Sequence, residues 1–277
     1  MFYLLLAIIC SSLISIVMRL GTSRVKYKLS MLAANYAACF VLAATLTGSG
    51  SFLPAVPELP RTLALGAFNG LVYLSAFVLM QRSVRTSGVV LSTTFSKLGL
   101  LVPIVVSVLL FGELPTALQA LGFLLSLVAI VLINPKNSEE KGKGLSLIIL
   151  LLVCGSADAM NKVYNELGSA ALSSQFLLYT FLSALILCLL LVLRGHEKPG
   201  KSEVLFGIIL GIPNYFSARF ALMALGTLPA VIVYPTMSVA TILLVSLTGV
   251  LAFREKLSGR QWLAMGFILV SVALLNI

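Results

Sequence analysis

Long apolar runs separated by short polar connections make up almost the whole chain. Ten such runs can be marked, and each is about 17–25 residues long, the length of a helix that crosses the hydrocarbon core of a bilayer. Lipid offers no hydrogen-bond partner to backbone amides, so each run is predicted to be a membrane-spanning helix. The predicted spans are residues 2–20, 30–47, 62–80, 88–110, 116–134, 144–163, 172–193, 203–222, 229–251 and 261–277.

The second half of the chain repeats the first. Residues 94–96 (TFS) align with residues 236–238 (TMS), and the same shift of 142 residues (236 − 94) places Glu113 on Glu255. Upstream, a glycine pair in the first half aligns with one in the second, namely Gly66 and Gly70 with Gly207 and Gly211. A repeat of this length indicates a duplicated structural unit. We therefore expect an all-α integral membrane protein of ten helices, built from five-helix repeats over residues 1–135 and 144–277.

Composition and charge set the class and the orientation. The chain is 60% hydrophobic and 10% charged, whereas soluble domains carry about 25% charged residues. The net charge is +10. Lysines and arginines are concentrated in alternate connections, and Arg61 is the one basic residue in the other connections. The positive-inside rule therefore predicts that both termini lie outside and the basic connections in the cytoplasm of a plasma or inner membrane. Because five spans per repeat is an odd number, the repeats are predicted to be inverted.

Charged side chains inside predicted spans are the first functional candidates, since they are costly in lipid. Lys97 lies about 14 Å into its span at 1.5 Å per residue, and Arg219 lies deep in the eighth span. Asp158, Asn161 and Lys162 lie in the sixth span. An ion pair between Asp158 and Lys162, four residues apart on one helix face, is the structural alternative to a role in transport.

A polar stripe in the third, fourth, eighth and ninth spans is predicted to line a substrate cavity. Its members are Asn69, Tyr73, Thr94, Ser96, Asn214, Tyr215, Tyr234 and Ser238. Lys97 and Arg219 would make this cavity net positive, which favours a substrate with a carboxylate or a phosphate. Glu113 and Glu255 fall in turns, where we expect helix-end contacts rather than proton coupling.

Two motifs are similar to those of a known family. Phe111-Gly112-Glu113-Leu114 and Phe253-Arg254-Glu255-Lys256-Leu257 each end an apolar run and precede a span with an early glycine. The chain thus resembles the paired EamA-type domains of the drug/metabolite transporter superfamily. The resemblance implies ten spans and alternating access through a cavity lined by spans three, four, eight and nine. One departure is that span one lacks the membrane-embedded glutamate of the short multidrug relatives.

The sequence favours a secondary transporter that exports or exchanges a small polar metabolite. One alternative is a proton-coupled exporter of amines or cationic drugs that uses Asp158, and another is a lipid-flippase type of membrane component. The single histidine and the scattered acids make an intramembrane enzyme unfavourable. We expect no cofactor and no metal site. The expected partners are a small-molecule substrate, the bilayer, and a proton or counter-substrate, with the chain a monomer or a homodimer and without nucleic acid.

Overall fold

The regular structure of the chain is helical throughout the part that is described. The computed structural model describes the backbone of residues 1–22, 24–47, 52–133, 144–197, 199–253 and 259–275, with a few side chains left out, among them those of residues 84–94 and 97. A short 3₁₀ helix (Ala170–Leu172) precedes α7. The α-helices are α1 (Phe2–Thr22), α2 (Lys28–Leu46), α3 (Leu59–Leu98), α4 (Leu101–Phe111), α5 (Ala117–Ile133), α6 (Gly144–Leu167), α7 (Ser173–Arg194), α8 (Lys201–Leu225), α9 (Ala230–Phe253) and α10 (Gly259–Leu275).

Six stretches in the described residues are long and apolar enough to cross a membrane. They are Lys28–Leu46, Leu59–Met80, Leu145–Leu167, Ala170–Arg194, Lys201–Leu225 and Ala230–Leu251. The other apolar helical segments, in α1, α4, α5 and α10, are shorter. Helices satisfy their own backbone hydrogen bonds, which is the condition for crossing lipid.

The break between α3 and α4 lies later in the sequence than predicted. We expected a polar connection between spans at residues 81–87, but α3 runs through it and the chain turns at Gly99 and Leu100. The Gly99 amide donates a hydrogen bond to the Ser96 carbonyl at 3.2 Å in this turn. The predicted boundary was wrong because residues 81–87 contain polar side chains but no glycine or proline that would end a helix.

The chain divides into two compact units, and each unit takes helices from both halves of the sequence. Unit I comprises Phe2–Leu74 and Val163–Met223. Unit II comprises Ser75–Lys162 and Ala224–Ile277, together with Met1. The predicted repeats, residues 1–135 and 144–277, follow the sequence and not these units, so the repeat boundaries stay a prediction.

In unit I, α3 packs on α7 through a pair of glycines. A Cβ atom at Gly66 would lie 2.9 Å from the Phe176 carbonyl oxygen, and one at Gly70 would lie 2.4 Å from the Thr180 carbonyl oxygen. Such distances are too short for any larger residue without a shift of the backbone. Small residues four positions apart let two membrane helices approach this closely.

The repeat-related glycines make the repeat-related contact between α8 and α2. A Cβ atom at Gly207 would lie 2.5 Å from the Met31 carbonyl oxygen, and one at Gly211 would lie 2.7 Å from the Asn35 carbonyl oxygen. The glycines of the two pairs are 141 residues apart (207 − 66 and 211 − 70), and the carbonyls they face are 145 residues apart (176 − 31 and 180 − 35). Each half of the sequence therefore gives a glycine face to the other half and receives one, in the same register.

In unit II, α5 and α10 pack antiparallel along most of their length. The Ser271 hydroxyl donates to the Gly122 carbonyl at 2.8 Å, and near the other end of the pair Arg260 donates to the Val131 carbonyl at 3.4 Å. A second close contact lies between the α3–α4 turn and α6, where a Cβ atom at Gly155 would lie 2.2 Å from the Gly99 carbonyl oxygen.

Gly70→Ala should destabilise the protein, whereas Gly266→Ala should not. The added methyl at Gly70 meets backbone of α7, while a Cβ atom at Gly266 meets nothing within 4 Å. Overpacking of this kind costs about 1–3 kcal/mol, and alanine at an open helical site gains up to about 1 kcal/mol over glycine. Thermal unfolding of the two purified variants in one detergent measures the difference. Equal unfolding temperatures would contradict the close approach of α3 and α7.

Candidate functional site

Arg219 is placed by a hydrogen bond along one face of α8. Its guanidinium Nη1 donates to the hydroxyl of Tyr215 at 3.0 Å, one helical turn earlier. The Tyr215 side chain is completely buried, whereas Arg219 is half-buried. A fixed phenol thus orients a guanidinium inside a candidate span, and the partial exposure leaves other donors of the arginine for a ligand.

An aromatic row connects this arginine to α3. The rings of Tyr73 and Phe181 lie 6.4 Å apart edge to face, and those of Phe181 and Tyr215 lie 5.9 Å apart. Phe181 belongs to α7 and lies between the two predicted tyrosines. The structure therefore brings Tyr73, Tyr215 and Arg219 together through a residue that the sequence reasoning missed.

Two side-chain amides, one buried and one half-buried, lie next to this row. Asn69, one turn before Tyr73, is fully buried, and its Nδ2 donates to Thr180 Oγ1 at 3.4 Å. Its Oδ1 accepts no hydrogen bond from the described residues, so the amide retains an acceptor. Asn214 Nδ2 donates to Asn35 Oδ1 at 3.2 Å.

The sequence signal for the missed residues was weak but present. Thr180 and Asn35 are polar residues inside the apolar runs of α7 and α2. The repeat is most evident in spans three, four, eight and nine, and the polar residues of α2 and α7 lie outside them. A buried amide or hydroxyl in lipid needs a partner, which makes any such residue a candidate wherever it occurs.

Unit II contains a buried ion pair that sequence spacing did not predict. Lys162 Nζ lies 2.5 Å from Glu113 Oε1, and the lysine side chain is 1% exposed. The expected partner of Lys162 was Asp158, which lies one turn earlier on α6 and is exposed. The pair of Asp158 with Lys162 stays a prediction.

Glu113 joins three segments of unit II. Besides Lys162 on α6, its carboxylate accepts hydrogen bonds from the Ser107 hydroxyl on α4 and from the Ala230 amide at the start of α9, the latter at 2.8 Å. The expectation that Glu113 makes helix-end contacts is confirmed. Its repeat partner Glu255 lies outside the described residues.

These partners determine the charge of Glu113. Burial alone would raise the pKa of this carboxyl, but the hydrogen bonds from Lys162, Ser107 and the Ala230 amide outweigh it and hold the pKa below its ordinary value. The stability that the carboxylate contributes is therefore present above its unfolded-state pKa of about 4.3. It is lost as the pH falls through the lower folded-state pKa.

The other predicted residues of unit II do not form one described cluster. The Tyr234 hydroxyl donates to the Asp158 carbonyl at 2.6 Å, next to the buried Asn161. Ser96 is 3.5 Å from the Cys154 sulfur, beside the Gly99 turn. Ser238 is half-buried on α9. Thr94 and Lys97 lie on α3, but their side chains are outside the described part of the structure.

A groove of about 540 Å³ in unit I is unsuited to a polar substrate. Its lining has two polar side chains, Tyr179 and Ser183. The Tyr179 hydroxyl donates to the Phe52 carbonyl, and the Ser183 hydroxyl donates to the Ala67 carbonyl. Both hydroxyl protons are therefore engaged within the protein, and the groove presents mostly carbon. The Arg219 region is the better candidate for a polar ligand.

Comparison with protein families assigns the class of the part of the chain that carries Arg219, Tyr215 and Lys162. Residues 145–277 match the model of the EamA-like transporter family. The second half of the chain is an EamA-like transporter domain. This domain and the six candidate spans make the chain a multi-pass membrane protein. The EamA-like family points to a membrane transporter rather than an enzyme.

Two further proteins are similar to nearly the whole chain. An uncharacterized protein of Haemophilus influenzae is 26% identical over 283 residues, which cover 97% of this chain and 95% of that protein. A crystal structure of another protein matches with a TM-score of 0.76 at 18% identity, and covers 99% of this chain and 94% of that one. The second likeness shows the fold alone.

Glu113→Gln should destabilise the protein strongly. It leaves the buried Lys162 ammonium without this carboxylate, and breaking one side of a buried pair costs about 3–5 kcal/mol. The double variant Glu113→Gln/Lys162→Met should recover most of the loss, because it removes both charges. Thermal unfolding of both variants is compared with Glu58→Gln, which alters an exposed glutamate. A loss no larger than that of Glu58→Gln would show that the pair does not stabilise unit II.

Proposed function

We propose that the chain is a secondary transporter that moves a small polar metabolite across the membrane by alternating access. It would do so with ten spans arranged as two inverted five-helix repeats, and it would work as an exporter or exchanger. The exchanged glycine contacts carry this proposal. The contact of α3 with α7 recurs as the contact of α8 with α2, in the same register.

Equivalent glycine contacts between the two halves of the sequence are consistent with an inverted-repeat transporter. Two halves of similar structure that enter the membrane from opposite faces can form an outward-open and an inward-open state of similar energy. Five spans per repeat and the bias of lysine and arginine to alternate connections support the inversion from the sequence side. The shorter helices α1, α5 and α10 would supply three further spans. The fourth would be α4 together with the end of α3, because α4 alone rises only about 16 Å at 1.5 Å per residue.

The substrate class follows from Arg219. A charged guanidinium inside a membrane span costs free energy, so an arginine in a candidate span is expected to have a function. A guanidinium can bind a carboxylate or a phosphate through two parallel hydrogen bonds. Tyr215 occupies one of its donors and orients the rest. The proposed substrate is therefore an amino acid or another solute with a carboxylate or phosphate, and Lys97 is a second proposed anion-binding residue.

The exposed Asp158 favours one second candidate. A carboxylate inside the candidate span Leu145–Leu167 that is open to its surroundings could bind an amine or exchange a proton. An amine or cation exporter would use this group in place of Arg219. The two candidates predict opposite rankings of the same variants.

Arg219→Gln should weaken the binding and transport of an anionic or zwitterionic substrate by about tenfold to a hundredfold, because a charge-assisted hydrogen bond contributes about 1.5–3 kcal/mol. Thermal-shift screening of amino acids, carboxylates, sugar phosphates and amines identifies the ligand. Uptake into proteoliposomes then ranks Arg219→Gln, Lys97→Ala, Asp158→Asn and the exposed control Arg61→Gln.

Loss in Arg219→Gln with wild-type uptake in Arg61→Gln supports the proposal. Loss in Asp158→Asn, with an amine as ligand and with Arg219→Gln tolerated, would replace it by the amine exporter.

A further inference from the structure

Two basic connections that are far apart in the sequence meet in unit I. The first joins α1 to α2 and contains Arg24, Lys26 and Lys28. The second joins α7 to α8 and includes Arg194 and Lys201 at its ends. Two glutamates, Glu197 in the second connection and Glu203 in the first turn of α8, hold the first connection in place.

Glu203 makes the first of these ties. Its carboxylate accepts backbone hydrogen bonds from the amides of Lys26 at 2.9 Å, Tyr27 at 3.2 Å and Gly200 at 3.1 Å. The residue is 5% exposed. Its acceptors are thus directed to backbone amides on both connections and not to the basic side chains around it.

Glu197 makes the second tie, at the start of α2. Its Oε2 accepts hydrogen bonds from the amide of Ser30 at 2.9 Å and from the hydroxyl of Ser30 at 3.0 Å. The amides of the first turn of a helix have no partner within the helix, so an acceptor here both caps α2 and complements its dipole.

An apolar anchor fixes the direction of the basic side chains. Val25 is buried in a cluster with Met31 and Leu210, against which Phe206 also packs. Burial of Val25 turns its neighbours Arg24 and Lys26 outward, and both are exposed. The connection is therefore a built turn with its charges on the outer side.

The result is one patch of five exposed cations, which we call the basic patch: Arg24, Lys26, Lys28, Arg194 and Lys201. Its level relative to the membrane follows from the spans. Lys28 is the first residue of one candidate span, Arg194 is the last of another, and Lys201 is the first of a third. The ends of spans lie at the level of the lipid headgroups.

We propose that the basic patch binds the phosphate of an anionic phospholipid in the surrounding bilayer. Clustered lysines and arginines beside membrane helices attract anionic headgroups. The two neighbouring carboxylates accept hydrogen bonds from backbone amides, and all five cations are exposed, with Lys26 Nζ 5.2 Å from the centre of the Tyr27 ring. The proposal is independent of what the protein transports.

The test is thermal unfolding of the purified full-length protein in detergent with added phosphatidylglycerol, compared with phosphatidylcholine of the same acyl chains. Phosphatidylglycerol should raise the unfolding temperature more than phosphatidylcholine does. Arg24→Gln/Lys28→Gln and Arg194→Gln/Lys201→Gln should each lose at least half of this difference, because both connections contribute to one site. The control Arg61→Gln removes an exposed arginine at the start of α3, which packs on the opposite end of α7 from Arg194, and should keep it.

Two further arms use the unmodified protein, so the test does not depend on how the variants fold. Salt at about 1 M, which shortens the screening length to about 3 Å, should abolish the phosphatidylglycerol difference. Soluble glycerol 3-phosphate at the same concentration should not reproduce it. The proposal is overturned by an absent or salt-resistant difference, by equal loss in the control variant, or by an equal effect of the soluble phosphate, which would indicate a site for free anions.

Discussion

Close approach of helix backbones at glycine is the constraint on which unit I depends. Lipid gives helices no hydrophobic reason to associate, so they associate through van der Waals contact and buried hydrogen bonds. Gly66 and Gly70 bring α3 against α7, and Gly207 and Gly211 bring α8 against α2. This closeness allows the polar side chains to pair across the same helices, as in Asn69 with Thr180 and Asn214 with Asn35.

Two glutamates are likewise paired with polar groups of other segments. Glu113 accepts hydrogen bonds from Lys162, Ser107 and the Ala230 amide, and Glu203 accepts three from backbone amides. Each carboxylate joins segments that are distant in the sequence, because a buried charge needs several partners. By contrast, the basic patch is exposed and Arg219 is half-buried, so these cations are accessible to ligands.

Six of the ten predicted spans correspond to described helices that are long and apolar enough to cross a membrane, because lipid imposes span length. Sequence repetition indicated where the spacing of residues recurs. The glycine pairs were found in this way. The end of α3 was missed because polar residues 81–87 can continue a helix, and the actual turn depends on the packing of Gly99 against Gly155. At the site, Arg219 and Tyr215 were found as polar groups inside a span. Glu113 could not be assigned to Lys162, because 49 residues separate them and only the packing of α4 and α6 joins them.

The most direct test of the inverted repeat is the side of the membrane on which repeat-related connections lie. Arg24 follows α1, Ala170 follows α6, and both are exposed. Arg24→Cys and Ala170→Cys, each in a background without the four native cysteines, are labelled with a membrane-impermeant thiol reagent in intact cells and after permeabilisation. In an inverted repeat with the basic connections in the cytoplasm, Ala170→Cys is labelled in intact cells and Arg24→Cys only after permeabilisation. Labelling of both from the same side would contradict the inverted repeat and the alternating access proposed from it.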